Sequence, residues 1–130
     1  MNSRSALNHL PLALLLLAAP AWGYPSVTIK SCWDGDTCRT STGEKIRLAC
    51  IDTPELRGRK ADPVPATAAR DYLRELVVGK SVGVRRVATD RYGRTVAELF
   101  VDGSNVQQQL VASGHADIYW KYAHQCPWTR

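Results

Sequence analysis

The sequence contains no apolar run long enough to cross a membrane, no C-x-x-C pair, no internal repeat and no low-complexity tract. Its longest apolar stretch, Leu10 to Ala19, falls short of the roughly 20 residues that span a bilayer. Without C-x-x-C spacing, the His124-x-Cys126 pair stands alone and offers too few ligands for a structural zinc site. The missing repeats exclude solenoids and propellers. No acid occurs among the first 23 residues, and no cysteine stands near Ala19 to Gly23 to take a lipid.

What the first stretch does hold is ordered. Met1 to His9 carries Arg4, Leu10 to Ala19 is apolar, and small residues surround Ala19-Pro20-Ala21 and Ala21-Trp22-Gly23. That is the order of an export signal. Pro11 and Pro20 bracket the run and no amphipathic face appears, which sets it apart from a core helix. Residues 1–23 are expected to be a signal peptide and residues 24–130 one domain, periplasmic or secreted and free of the membrane after signal removal. A chain of 130 residues has room for a single core. Removing the signal takes Arg4 from the 17 bases, leaving 16 Lys+Arg against 12 Asp+Glu, a formal charge of +4. That excess favours a polyanionic partner without identifying one. All four cysteines, Cys32, Cys38, Cys50 and Cys126, lie in the expected domain, and an even count in a small exported chain indicates disulfides. Three connectivities are open.

From Ser26 the chain reads as strands. Val27, Ile29, Ser31 and Trp33 alternate with Thr28, Lys30 and Cys32 at period two. Asp34-Gly35-Asp36 signals a turn, Thr37 to Thr40 a short strand, and Ser41 to Glu44 a second turn. Lys45 to Ile51 follows as a third strand, with Ile46, Leu48 and Cys50 on one face. Pro54 ends it. Leu56 to Pro65 is a polar, basic loop, and Ala66 to Val77 has helical spacing stopped by Gly79. Ser81 to Ala88 and Arg94 to Val101 read as two more strands, and Asn105 to Ser113 as a second helix ended by Gly114. The fold class is α+β. Five short strands, with a helix between the third and fourth and a C-terminal helix, is the order of an OB-fold barrel; an SH3-like barrel ranks second.

Four carboxylates, Asp34, Asp36, Asp52 and Glu55, stand at a turn and at a strand end. In a three-strand meander the third strand runs parallel to the first, so its end returns to the Asp34–Asp36 turn. Asp36 and Asp52 can then meet, and paired carboxylates suit a hard cation such as Ca²⁺ or Mg²⁺. Each segment alone is also an ordinary turn. Arg47, between the apolar Ile46 and Leu48, faces away from the core if they face it. Arg94 opens the fifth strand. A guanidinium gives two parallel hydrogen bonds to phosphate and can offset charge building at phosphorus.

Three segments now fall into a pattern: Asp34-Gly35-Asp36-Thr37, Ile46 to Glu55, and Asp90-Arg91-Tyr92-Gly93-Arg94. In order and rough spacing they resemble the signature segments of the staphylococcal nuclease (thermonuclease) family, and the likeness runs from Val27 to about Tyr122. The resemblance implies a Ca²⁺-dependent endonuclease that hydrolyses phosphodiester bonds of DNA and RNA, with a preference for single strands. It implies that Asp36 and Asp52 hold Ca²⁺ through their carboxylates, with the Thr53 carbonyl as a further ligand. Glu55 would take a proton from the attacking water or orient that water. Arg47 and Arg94 would bind the scissile phosphate, and Arg91 and Tyr92 a neighbouring one. Asp34 would lie just outside the first metal shell.

Beyond those segments the likeness thins. The family's base-stacking aromatics would correspond to Trp120 and Tyr122, after which eight residues remain and the family's last helix is reduced or missing. The loop from Leu56 to Asp62 differs but stays basic through Arg57, Arg59 and Lys60. Of Arg85 and Arg86, adjacent on a strand, at most one can point at the site. The cysteines are an addition to the type enzyme. Cys32 and Cys38 flank the Asp-Gly-Asp turn, and Cys50 lies where a folded-back tail would pass, so Cys32–Cys38 and Cys50–Cys126 are the expected bonds. A nucleic-acid-binding OB-fold module without catalysis is the alternative function, and loss of Asp36, Asp52, Glu55, Arg47 or Arg94 would have favoured it. All five are present. A monomer is the default.

Overall fold

Apolar and polar residues alternate from Ser26, and the backbone follows by extending into β1, Ser26–Asp34. This computed structural model describes residues 23–130, so the expected signal lies outside the described residues except for Gly23. The alternation does not persist along β1. A bulge against the partner strand, between Ile29 and Ser31, inserts one residue and reverses the phase. Ile29 and Cys32 are both fully buried, whereas Ser31 and Trp33 face outward. Strict period two had put Ser31 and Trp33 on the face of Ile29; the bulge corrects this.

The chain then forms β2 (Thr37–Thr40) and β3 (Lys45–Leu48), antiparallel neighbours of β1 in turn. The third strand is shorter than the pattern to Ile51 suggested. Cys50 adopts φ 70°, in the left-handed region, and breaks it. Extended backbone resumes as β4, Ile51–Asp52, which pairs with β8, Asp117–Ile118, instead of the main sheet. Cys50 therefore leaves the face of Ile46 and Leu48 and packs with Ala49 and Cys126 in a small separate cluster.

Helix α1 runs Pro63–Val77, starting three residues before Ala66. Proline lacks an amide hydrogen and has a helical φ, so Pro63 and Pro65 fit the first turn, where amides have no helical partner. Val78 caps the other end and Gly79 turns the chain away at φ 77°. Next come β5 (Ser81–Thr89), β6 (Thr95–Val101), β7 (Ser104–Asn105) and α2 (Val106–Ala112), whose first turn is capped by the Asn105 side chain accepting from the Gln108 amide. Two 3-10 helices, Trp120–Gln125 and Pro127–Thr129, end the described chain.

The strand order is β3-β2-β1-β5-β6-β7, and a parallel pairing of β3 with β6 closes the sheet on itself. The result is a five-stranded barrel of β1, β2, β3, β5 and β6, in the order of an OB fold. Ile29, Ile46, Leu48, Leu73, Val84, Leu99 and Leu110 fill its interior without exposure beyond 1 %. Helix α1 packs on β1 and α2. Gln107, fully buried, joins α2 to the barrel: its carbonyl accepts from Leu99, and its amide donates to Ala97 and Ala49. Among the described residues no helix is long and apolar enough to cross a membrane.

Candidate active site

The barrel brings the ends of β1, β2 and β4 together at one rim. Gly35 sits at the tip of the β1–β2 hairpin, where a Cβ would lie 2.8 Å from the Ala69 Cβ and 2.9 Å from Thr53. Only glycine lets the hairpin press against α1 and the segment after β4 so closely, and that contact delivers Asp36 to the opening after β4. The Asp36 carboxylate is nearly buried and accepts from the Thr37 hydroxyl at 3.0 Å and the Thr53 hydroxyl at 3.1 Å.

Arg47 stands between the two aspartates. One guanidinium nitrogen lies 3.4 Å from Asp36 and 3.9 Å from Asp52. The same guanidinium donates to the carbonyls of Leu48 at 2.6 Å and Ile51 at 3.0 Å, so the break after β3 supplies its anchor. Crowded carboxylates show in the acidities. Burial, then repulsion from Asp36, pushes Asp34 up to about 6. The same two causes in the same order raise Asp52. These oxygen donors, crowded and part-desolvated, favour a cation among them. Among the described residues no group of three or more His, Cys, Asp and Glu side chains is placed to hold a metal ion, so a cation at the Asp36 and Asp52 carboxylates would need carbonyl oxygen and water for the rest of its shell.

A cleft of about 800 Å³ opens over this rim, lined by Asp34, Asp36, Arg47, Asp52, Thr53, Glu55 and Arg94. Glu55 is exposed at its edge. Arg94 precedes β6 and is held by Asp90, which accepts from its Nε at 2.7 Å and from its amide at 2.9 Å. Burial pushes the Asp90 carboxyl up, but these bonds outweigh it and hold the carboxyl below its ordinary value.

A second cleft of about 650 Å³ shares Arg47 and Arg94 with the first and is continued by Arg91, Tyr92, Tyr119, Lys121 and Tyr122. Arg91 donates to the Tyr92 hydroxyl at 2.8 Å, and the guanidinium carbons of Arg91 and Arg94 lie 5.0 and 5.4 Å from that ring's centre. Tyr122 meets Tyr119 edge to face at 5.1 Å. Trp120 is 71 % exposed and lines neither cleft, whereas Tyr119 and Tyr122 both line the second.

The structure pairs Cys32 with Cys38 beneath the hairpin and Cys50 with Cys126 across 76 positions. Neither Arg85 nor Arg86 serves the site: Arg85 is bound to the buried Glu98 at 2.8 Å, and Arg86 to Glu44 at 2.7 Å. Sequence reasoning missed Trp33, Arg70 and Arg74, which also line the larger cleft, and it named Asp90 in the third signature segment without its role of holding Arg94. The i, i+4 spacing of Arg70 and Arg74 was a usable signal. Tyr119 gave none, because its place depends on the turn around it.

A sequence model of the family described as "Staphylococcal nuclease homologue" matches residues 45–128. The chain belongs to the staphylococcal nuclease family. Individual members resemble it over most of its length. An "Uncharacterized endonuclease" of Escherichia coli O157:H7 is 39 % identical over 93 residues, 68 % of this chain and 58 % of the relative. One of the same description from Haemophilus influenzae is 31 % identical over 131 residues, 95 % of this chain and 69 % of the relative. A "Probable staphylococcal-like nuclease" of rice is 40 % identical over 60 % of this chain and 22 % of its own length. The chain thus spans little more than half the length of the E. coli relative. Arg47, Asp52, Thr53, Glu55 and Arg94 fall inside the staphylococcal nuclease match, and Asp36 precedes it.

Proposed function

We propose that the protein is a Ca²⁺-dependent endonuclease that hydrolyses phosphodiester bonds of DNA and RNA and prefers single strands. The observation that carries this reading is the grouping of Asp36 and Asp52 within 4 Å of one Arg47 nitrogen, in a cleft shared with Glu55 and Arg94. The family membership and the endonuclease names of relatives support it.

In this reading Asp36 and Asp52 hold Ca²⁺ through their carboxylates, with the Thr53 carbonyl as a further ligand. When bound, the cation offsets charge at the phosphate and makes water more acidic. Arg47 and Arg94 donate to the phosphate oxygens and stabilise the charge that grows on them. Asp90 aims Arg94, and the Leu48 and Ile51 carbonyls aim Arg47, so neither guanidinium must be ordered during the reaction. Glu55 accepts the proton of the water whose oxygen bonds to phosphorus, as the bond to the leaving sugar oxygen breaks. Arg91 and Tyr92 hold a neighbouring phosphate, and Tyr122 and Trp120 offer faces to bases. Residues 1–23 direct export to the periplasm or beyond, in accord with two disulfides that need an oxidising compartment. The working unit is a monomer.

The test is cleavage of single-stranded DNA by purified protein, with Ca²⁺ or with a chelator. Cleavage is expected only with Ca²⁺, and Glu55→Ala should lower kcat at least 100-fold. Equal cleavage in chelator, or an undiminished rate in Glu55→Ala, defeats the mechanism. Binding without cleavage by the wild-type protein favours the non-catalytic OB-fold module.

A further inference from the structure

The larger cleft has a bank that the proposed chemistry leaves unused. It is made by Trp33 of β1, by Arg70 and Arg74 of α1, and by Arg57 from the loop between β4 and α1. Arg70 and Arg74 are about one helical turn apart and share a face. Arg74 is positioned by its Nε, which donates to the Cys32 carbonyl at 2.7 Å. Cys32 precedes Trp33 in the chain and is bonded to Cys38, so helix, disulfide and tryptophan form one braced unit. Asp71 is the carboxylate paired with these cations, 3.1 Å from Arg70 and 3.9 Å from Arg74. Three arginines against one aspartate leave the bank positive.

Trp33 is 42 % exposed. The bulge in β1 turns it out of the core, forgoing the gain of burying so large a ring. The Arg39 guanidinium carbon lies 6.0 Å from its ring centre, adding positive charge beside a flat apolar face. Trp33 immediately precedes Asp34, so this face starts one residue from the carboxylate cluster. Arg47 and Arg94 line both clefts, which makes the two continuous through the position proposed for the scissile phosphate.

We infer that this bank is a second polynucleotide subsite. It receives the part of a single strand that continues past the scissile phosphate, away from Tyr92, Tyr119 and Tyr122. A base stacks on Trp33, while Arg70 and Arg74 hold phosphates. The inference rests on the nuclease reading above and extends it to substrate length and strandedness. Guanidinium groups match phosphate oxygens geometrically, and an indole face accepts any base without sequence readout. A duplex fits poorly, because its bases are stacked on one another and present no free face to Trp33.

The test compares KM for single-stranded DNA of 3 and 12 nucleotides in wild type, Trp33→Ala, and Arg70→Ala with Arg74→Gln. KM for the 12-mer is expected to rise about tenfold in each variant, and KM for the 3-mer by less than twofold. Trp33→Phe, which keeps an aromatic face, should recover most of the loss. Binding of the 12-mer in chelator gives a second readout. The slope of log affinity against log salt should shrink by about 1.4 when both arginines are replaced, near 0.7 per phosphate contact on single strands. Thermal melting of each variant reports folding separately.

Equal changes at both lengths, or none at either, overturn the subsite. Wild-type protein that cleaves while its variants match it at 12 nucleotides overturns the subsite and leaves the nuclease reading intact. Wild-type protein that binds the 12-mer without cleaving it sinks the nuclease reading, and an unchanged salt slope in the arginine variant then overturns the subsite as well.

Discussion

Asp34 and Asp36 show how the site strains its own scaffold. They are two residues apart on one hairpin, and the Asp34 carboxylate accepts the Asp36 amide at 3.0 Å. That bond orders the turn, yet burial and the neighbouring charge push Asp34 up to about 6. A carboxyl that holds its proton more tightly folded than unfolded supports the fold below the unfolded value of about 3.8. The support is lost as pH rises through about 6, so at neutral pH ionised Asp34 opposes folding. Asparagine keeps the accepting oxygen and discards the charge. In chelator, Asp34→Asn is therefore expected to stabilise the protein by about 1 to 2 kcal/mol at pH 7.5, with the gain vanishing by pH 4. Melting temperatures at the two pH values check this. A gain of equal size at both, or a loss at pH 7.5, contradicts it.

At the scale of elements, the barrel depends on closing contacts between strands distant in sequence. Glu44, in the turn before β3, accepts from Arg86 of β5 at 2.9 and 2.7 Å and from the Thr95 hydroxyl of β6 at 2.7 Å. It thus ties three elements across the closure where β3 meets β6. The Arg86 hydrogen bonds are the main cause that holds its carboxyl below the ordinary 4.5. A depressed carboxylate contributes stability above its unfolded value, and the contribution is lost as pH falls through the folded one. Glu44→Gln is expected to cost about 0.5 to 1 kcal/mol at pH 7, the scale of a part-exposed ion pair. Urea unfolding should show the gap closing below pH 4.5. A gap that persists at pH 3 would assign the effect to packing or to the turn.

At the scale of the whole molecule, the two disulfides differ in what they constrain. Cys32–Cys38 closes a separation of 6 and Cys50–Cys126 one of 76. Loop entropy then gives the longer bond about 4.5 kcal/mol and the shorter about 2 kcal/mol. The long bond also carries the tail to the second cleft, where the Tyr119 amide donates to the Cys50 carbonyl at 2.8 Å. Replacing Cys50 and Cys126 by serine is expected to lower Tm by more than about 10 °C, against a smaller fall for the Cys32 and Cys38 pair. Cleavage should also weaken at temperatures where the variant is still folded, because Tyr119 and Tyr122 lose their tether. A larger fall for the short-loop pair would refute the entropic ranking.

The sequence by itself determined the strand and helix order, the family, and the chemical types at the site. Asp36 and Asp52 could be placed side by side because a meander returns its third strand to the end of its first, while the contact of Arg47 with both is a finding of the structure. The physical reason is locality: hydrophobic period, turn residues and short spacings are properties of neighbouring residues. Tertiary structure decided what distant segments impose. The bulge in β1 turned Trp33 outward, the left-handed Cys50 ended β3 early, Gly35 proved necessary because Ala69 and Thr53 press against it, and Tyr119 joined Tyr122 in the second cleft. Each depends on closing one barrel in three dimensions, where backbone contacts across tens of residues override the local pattern.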